Sequence, residues 1–316
     1  MTGHLVTIGE ILVEIMATTI GTGFREPQSL IGPFPSGAPA IFINQASRLG
    51  ASCAIIGAVG DDDFGRVNLD RLSADGVDVS AVTIHPDVAT GSAFVRYRGD
   101  GSRDFVFNIR HSASGRIALT PEANRAIARA SRIHVMGSAL AIPAVRSIVE
   151  LSVAKVKAAG GSVSFDPNIR KEMMNDVALN AALRQILAVT DLFFPSGEEI
   201  LLFSEASDEQ EAASRLIARG VKEIALKRGG EGAQVTTSSG TVRTRAFNVV
   251  EVDPTGAGDC FGATYTVCRD KGMSIEQSLT YANAAGARAV TFKGPMEGAS
   301  SFDDLDAFIS EQGATA

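Results

Sequence analysis

Arg132-Ile133-His134-Val135-Met136, then Pro143 through Ala159, then Gly160-Gly161, then Ser162-Val163-Ser164-Phe165-Asp166: this stretch decides the fold. Two short β-branched runs flank a helical pattern, and the Gly-Gly pair is a helix-stop signal. That order predicts a mostly parallel sheet covered by helices, an α/β fold. The same rhythm runs outward. His4 to Ile8 reads as a strand ending at Gly9, and Ala54 to Val59 as another that stops at Gly60. Asp191 to Pro195 and Glu223 to Lys227 read as strands, Val177 to Val189 and Asp208 to Arg219 as helices.

Two segments break the rhythm. Leu12 to Pro35 is rich in Gly, Pro and Thr. Ser92 to Arg110 reads as a hairpin turning at Gly99-Asp100-Gly101. In its second arm Phe105, Phe107 and Ile109 share one face; Asp104, Asn108 and Arg110 share the other with Val106. Periodicity alone allows a lid over a site or an edge extension of the main sheet. The lid reading divides the chain into a core of residues 1–11, 36–91 and 111–316 and a small β-rich part of 12–35 and 92–110.

The chain has 316 residues, 45% apolar and 21% charged, enough for one large α/β domain or two modest ones. A net charge of -7 argues against nucleic acid as the main partner. Cys53, Cys260 and Cys268 form no CxxC pair, and the four histidines form no HExxH, so all seven read as structural. No leader and no bilayer-length apolar run is visible, so a soluble cytoplasmic protein with no membrane partner is expected.

The chemistry is carried by Val252-Asp253-Pro254-Thr255-Gly256-Ala257-Gly258-Asp259, followed by a helical pattern from Cys260 to Arg269. Small residues let backbone N–H groups approach a ligand closely. At a helix N-terminus those groups lack intrahelical partners and the dipole is positive, so anions bind there. Asp259 falls in the first turn, where a carboxylate can take the proton of an attacking hydroxyl. The competing reading is an aspartate placed for the helix dipole after a tight turn. Cys260 is adjacent, but helix geometry turns it into the packing.

These motifs resemble those of the PfkB, or ribokinase-like, carbohydrate kinases. Asp253 to Asp259 match the late family signature D-[TP]-[TS]-G-A-G-D, and Gly57 to Gly65 match G-x-x-G-x-D-x-x-G. Ser36-Gly37-Ala38-Pro39-Ala40 aligns with the sugar-side glycine segment, and Asp166 to Arg170 with the D-x-N-x-R strand end. Glu199 matches the acidic end of N-x-x-E, and Lys227 to Gly232 the nucleotide-side glycine loop. The resemblance spans nearly the whole chain. It implies a doubly wound core with helices on both faces, a small β lid, and an ATP-dependent sugar kinase.

It also implies the site. Asp259 would be the base, with Gly256, Ala257 and Gly258 forming the anion site. Glu14, Gly37, Ala38, Asn44, Arg110 and Arg170 would face the sugar. Lys227, Gly229, Gly232, Thr255 and Asn283 would face the nucleotide. Glu199 would act on Mg2+, through water, and K+ is a further cation the family admits. A homodimer is the expected assembly. For Glu14 the alternative is a carboxylate facing water, for Arg110 a solvated lid charge, and for Arg170 a surface ion pair. Two departures stand out. Ile41 replaces a polar sugar contact, which leaves Asn44 or Gln45 to reach in from the next turn. Ser196 replaces the Asn of N-x-x-E.

Other classes are disfavoured. Gly9-Glu10-Ile11 is not the GxGxxG of a dinucleotide enzyme, and no GxxxxGK[ST] is present. A sugar sensor on a kinase fold would lack the base. Gly32 to Pro39 and Arg103 to Ala113 resemble tagatose kinases, with 2-keto-3-deoxygluconate kinases next. The expectation is therefore a ketohexose phosphorylated at C6, D-tagatose first, with 2-keto-3-deoxygluconate or fructose as alternatives.

Overall fold

The computed structural model describes residues 3–21, 23–99, 103–169 and 176–313. Its strands are β1 (His4–Ile8), β2 (Leu12–Ala17), β3 (Leu30–Ser36), β4 (Ser52–Gly60), β5 (Val82–His85), β6 (Gly91–Tyr97), β7 (Arg103–Asn108), β8 (Ala130–Met136), β9 (Ser162–Asp166), β10 (Leu192–Phe193), β11 (Glu223–Lys227), β12 (Ala233–Thr237) and β13 (Gly240–Thr244). Its helices are α1 (Ala38–Arg48), α2 (Asp63–Ala74), α3 (Pro121–Arg129), α4 (Pro143–Ala158), α5 (Val177–Leu187), α6 (Glu209–Ala218), α7 (Ala257–Asp270), α8 (Ile275–Ala289) and α9 (Phe302–Gly313).

Among the described residues the main sheet has nine strands, ordered β13-β12-β11-β10-β9-β8-β1-β4-β5. It is parallel from β11 to β5, and β12 and β13 close one edge antiparallel. Side-chain alternation sorts the helices between its faces. Val6, Ile8, Ala54 and Ile56 pack with α3, α4, α5 and α6; Leu5, Cys53 and Ile55 pack with α1, α7, α8 and α9. Local signals set the helix ends. Pro143 occupies the first turn of α4, where its missing N–H costs nothing, and Asp176 and Asp208 cap α5 and α6 through the amides of Leu179 and Glu211. The chain winds one way from β1 to β4 and β5, and the other way from β8 to β11. The switch point is between β1 and β8, where open α/β sheets place their ligands beyond the carboxyl ends.

The interrupting segments form a second sheet, ordered β3-β2-β6-β7. The hairpin is therefore not an edge extension of the main sheet. Its arms pair from Ser92↔Asn108 to Tyr97↔Arg103, and the turn residues Asp100 and Gly101 lie outside the described residues. Leu12 to Pro35, assigned from the sequence to the small β-rich part without strand limits, supplies β2 and nearly all of β3. Asp62 of the G-x-x-G-x-D-x-x-G motif ties the two sheets together. Its carboxylate caps α2 through Gly65 N at 2.8 Å and accepts from the amide and hydroxyl of Thr90, just before β6. Among the described residues no helix is long and apolar enough to cross a membrane.

Candidate active site

The α7 N-terminus is built by a backbone that only glycine suits. Gly256 has φ +84°, and a Cβ there would stand 2.5 Å from Pro295 O. Cys260 N donates to Gly256 O at 2.8 Å, which sets the first helical turn. The amides of Ala257, Gly258 and Asp259 then have no acceptor within the helix. Gly258 and Asp259 border a cavity of about 730 Å³ between the second sheet and the carboxyl ends of the main-sheet strands. α1 contributes another wall. Gly37, at φ +110°, packs its backbone against Glu10 O and starts the helix, and Ala38 and Ile41 face the cavity.

Opposite α7, the ends of β9 and β11 bring in charge. Lys227 Nζ lies 2.5 Å from Asp166 Oδ2, with Asp166 buried and Lys227 mostly covered. Burial pulls the Lys227 pKa down, but Asp166 and Glu199 outweigh it and hold the ammonium protonated. Glu199 clasps two backbone segments: Oε1 accepts from Ile169 N at 3.0 Å and Oε2 from Ser196 N at 2.7 Å. Burial and then the nearby Asp166 carboxylate push the pKa of Glu199 up.

The second sheet completes the enclosure with Glu14, Arg103, Phe105 and Phe107. The Glu14 carboxylate is 3% exposed, and burial followed by the like charge of Asp253 raises its pKa to about 7. The Thr255 hydroxyl donates to Asp253 Oδ1 at 2.8 Å, accepts from Arg103 Nη1 at 2.7 Å and lies 3.3 Å from Glu14 Oε1. Tyr97 Oη donates to Asp253 Oδ1 at 3.0 Å.

The cavity thus gathers Glu14, Gly37, Ala38, Glu199, Lys227, Thr255, Gly256, Gly258 and Asp259 from the expected set; Ala257 opens the helix between the two glycines. The remaining expected residues, where described, lie outside the cavity. Asn44 is buried away from the cavity, its Nδ2 donating to Asp75 Oδ2 at 2.7 Å, because its helical position turns it toward the end of α2. Gln45 bonds Thr264 and Ser300 instead. Arg110 falls past the end of β7, is exposed, and donates to Ala141 O. Gly229 and Gly232 lie in the β11–β12 turn outside this cavity. So does Asn283, which anchors Thr244 and Arg245 at the end of β13. Arg170 lies outside the described residues.

Two cavity-lining residues were missed, Arg103 and Asp166 as a partner of Lys227, along with Tyr97, which bonds Asp253 behind them. Arg103 shares its strand face with Phe105 and Phe107, so period-2 alternation could have found it. The buried thiols Cys53, Cys260 and Cys268 pack as expected.

Fixed anion donors beside a carboxylate able to take a hydroxyl proton are what phosphoryl transfer to an alcohol needs. Residues 3–301 match the pfkB family carbohydrate kinases. The chain belongs to this family and is a sugar kinase. It is 32% identical to a fructokinase of Klebsiella pneumoniae over 96% of this chain and 99% of that one. It also resembles a structure from E. coli described as a "putative Ribokinase II in complex with ATP and Mg+2", with a TM-score of 0.93, 46% identity, and 98% of this chain and 99% of that one covered. A Vibrio cholerae O395 fructokinase with fructose, ADP and potassium ion bound has a TM-score of 0.84 and 26% identity, covering 98% of both chains.

Proposed function

We propose that this kinase transfers the γ-phosphoryl of ATP to the terminal C6 hydroxyl of a ketohexose. One observation carries the reading: Asp259, the glycine-lined start of α7 and the buried Glu14 all face one cavity. Asp259 takes the hydroxyl proton as the sugar oxygen attacks. The amides at Gly256 to Asp259 hold the phosphoryl oxygens. The second sheet excludes water, which protects ATP from hydrolysis. Glu14 and Thr255 orient sugar hydroxyls.

Among the described residues no three His, Cys, Asp or Glu side chains converge to hold a metal. This fits Mg2+, which binds through phosphates and water with one or two carboxylates. Glu199, one of the carboxylates lining the cavity, would act on it through water. When bound, Mg2+ neutralises β- and γ-phosphate charge. Gly229, Gly232 and Asn283 are the candidate nucleotide rim beyond the cavity. The potassium bound by the Vibrio cholerae relative supports testing a monovalent-cation requirement.

Among sugars, the relatives named fructokinase favour fructose, and D-tagatose, its C4 epimer, is the next candidate. Ile41 gives the cavity an apolar wall in either case. The test is ATP consumption with fructose, tagatose, ribose and 2-keto-3-deoxygluconate under one set of conditions. No turnover of any sugar would refute the reading. A tenfold preference for the keto-acid, about 1.4 kcal/mol, would replace the ketohexose with an acid held by Arg103. Sedimentation measurements test the homodimer.

A further inference from the structure

The anion site at α7 has a second side. A Cβ added to Gly258 would stand 3.4 Å from Lys227 Nζ and 3.9 Å from Lys227 Cδ. The ammonium therefore hangs over the first turn of α7. A helix N-terminus is itself positive, so a cation beside it is in the wrong place for the helix dipole. Asp166, 2% exposed, holds it there.

The pair is poorly explained as a brace. β9 and β11 are already joined through β10, which pairs in parallel with both. A buried ion pair contributes little net stability, because desolvation of both charges offsets their attraction. What the arrangement does provide is a space with positive groups on two sides: helix amides on one, an ammonium on the other. Among the described residues lining the cavity, the two other cations belong to the second-sheet hairpin and are not so placed. Arg103 is committed to Thr255, and Arg98 pairs with Asp104.

We propose that Lys227 is a catalytic residue of phosphoryl transfer, its ammonium bridging Asp166 and the oxygens of the transferring phosphoryl group. The inference rests on the ATP-dependent reading above. An ammonium has three N–H donors, so one can stay on Asp166 while another meets the phosphoryl oxygen. In the step, the sugar oxygen forms its bond to phosphorus as the bond from phosphorus to the ADP oxygen breaks. The bonding pair leaves with ADP, the hydroxyl proton goes to Asp259, and Lys227 neither gains nor loses a proton. Its charge offsets what spreads over the equatorial oxygens. Asp166 is the positioning residue that aims it.

The test uses Lys227→Met and the double variant Asp166→Asn/Lys227→Met, which leaves no unpaired buried charge. Melting temperature, kcat with the best sugar, and the Kd values of ADP and of the β,γ-imido analogue of ATP are measured for each. In the folded double variant, kcat falls about 100-fold or more, as for loss of one transition-state donor. ADP affinity stays within about twofold, while the analogue loses about tenfold, a selective loss of the γ-phosphoryl contact. A folded double variant with kcat within threefold of the parent and an unchanged ratio of the two Kd values would overturn the proposal. So would activity that returns on cooling below the variant's melting temperature, or a double variant that folds at no temperature, since either makes the pair a structural brace. If the parent consumes ATP with no sugar, the functional reading fails, and the two Kd values still decide the role of Lys227.

Discussion

Arg103 Nη1 donates to Thr255 Oγ1 across 2.7 Å, joining the second sheet to the residue that precedes the α7 N-cap. The two residues are 152 positions apart. Tyr97 makes a parallel link to Asp253. The sheet that covers the cavity is thus bonded to the segment that presents the anion site. Replacing Arg103 by Met should cut kcat/KM for the sugar about tenfold, the effect of one charge-assisted hydrogen bond worth about 1.5 kcal/mol. Hydrogen exchange in β6 and β7 should slow when sugar binds the parent. Equal exchange rates with and without sugar would make the sheet a static wall.

Asp259→Asn should lower kcat by about 10²–10⁴-fold, the usual contribution of a general base. ADP affinity should change little, because the backbone donors remain. Turnover near the parent level would remove Asp259 from the mechanism.

The two glycines should respond differently to added bulk. Gly256→Ala forces a side chain into a left-handed conformation, at about 1–2 kcal/mol, and against Pro295 O. It should mainly lower the melting temperature. Gly258→Val meets no backbone outside its own helix and projects toward Lys227 Nζ, so it should lower kcat far more than stability. The reverse order in calorimetry and kinetics would reject this division.

Glu14 sets a pH dependence. Its folded pKa of about 7 lies above the ordinary 4.5, so the folded state binds the proton more tightly. The stability from this group is fully present below pH 4.5 and is lost as pH rises through 7. Glu14→Gln keeps a neutral side chain throughout. Its melting temperature relative to the parent should therefore rise between pH 5 and pH 8. A constant difference across that range would mean that Glu14 does not titrate there.

Glu199→Gln should raise the Mg2+ concentration needed for half-maximal rate several-fold. An amide can accept only one of the two backbone N–H bonds that the carboxylate takes. The variant should also loosen the strand end at Ile169. An unchanged Mg2+ dependence would confine Glu199 to that clasp.

Some of this was readable directly from the chain. β1, β9 and β11 have the limits the residues predict, because each is a short run bounded by Gly or Pro punctuation: Gly9 after β1, Gly160-Gly161 and Pro167 around β9, and Gly220 and Gly229-Gly230 around β11. The anion site was readable because Gly256, Gly258 and Asp259 are near neighbours in sequence, and local backbone geometry alone aims them together. The limits of β2 and β3 were not readable. Gly32, Pro33 and Pro35 hide the alternation of β3, and the apolar run of β2, broken only by Glu14, leads straight into a Gly- and Thr-rich stretch that masks where the strand ends.

The sequence by itself determined the alternation of core strands and helices, the helix start that binds an anion, and the carboxylate beside it. Each is set by interactions within a few residues. The tertiary structure alone decided which charges join them. Pairing of Tyr97 with Arg103 turns Arg103 inward, while Arg110 lies beyond the strand. Asn44 is taken by Asp75, 31 residues away. Lys227 finds Asp166 only because β9, β10 and β11 end side by side. Such contacts depend on register and sheet order, which no local pattern encodes.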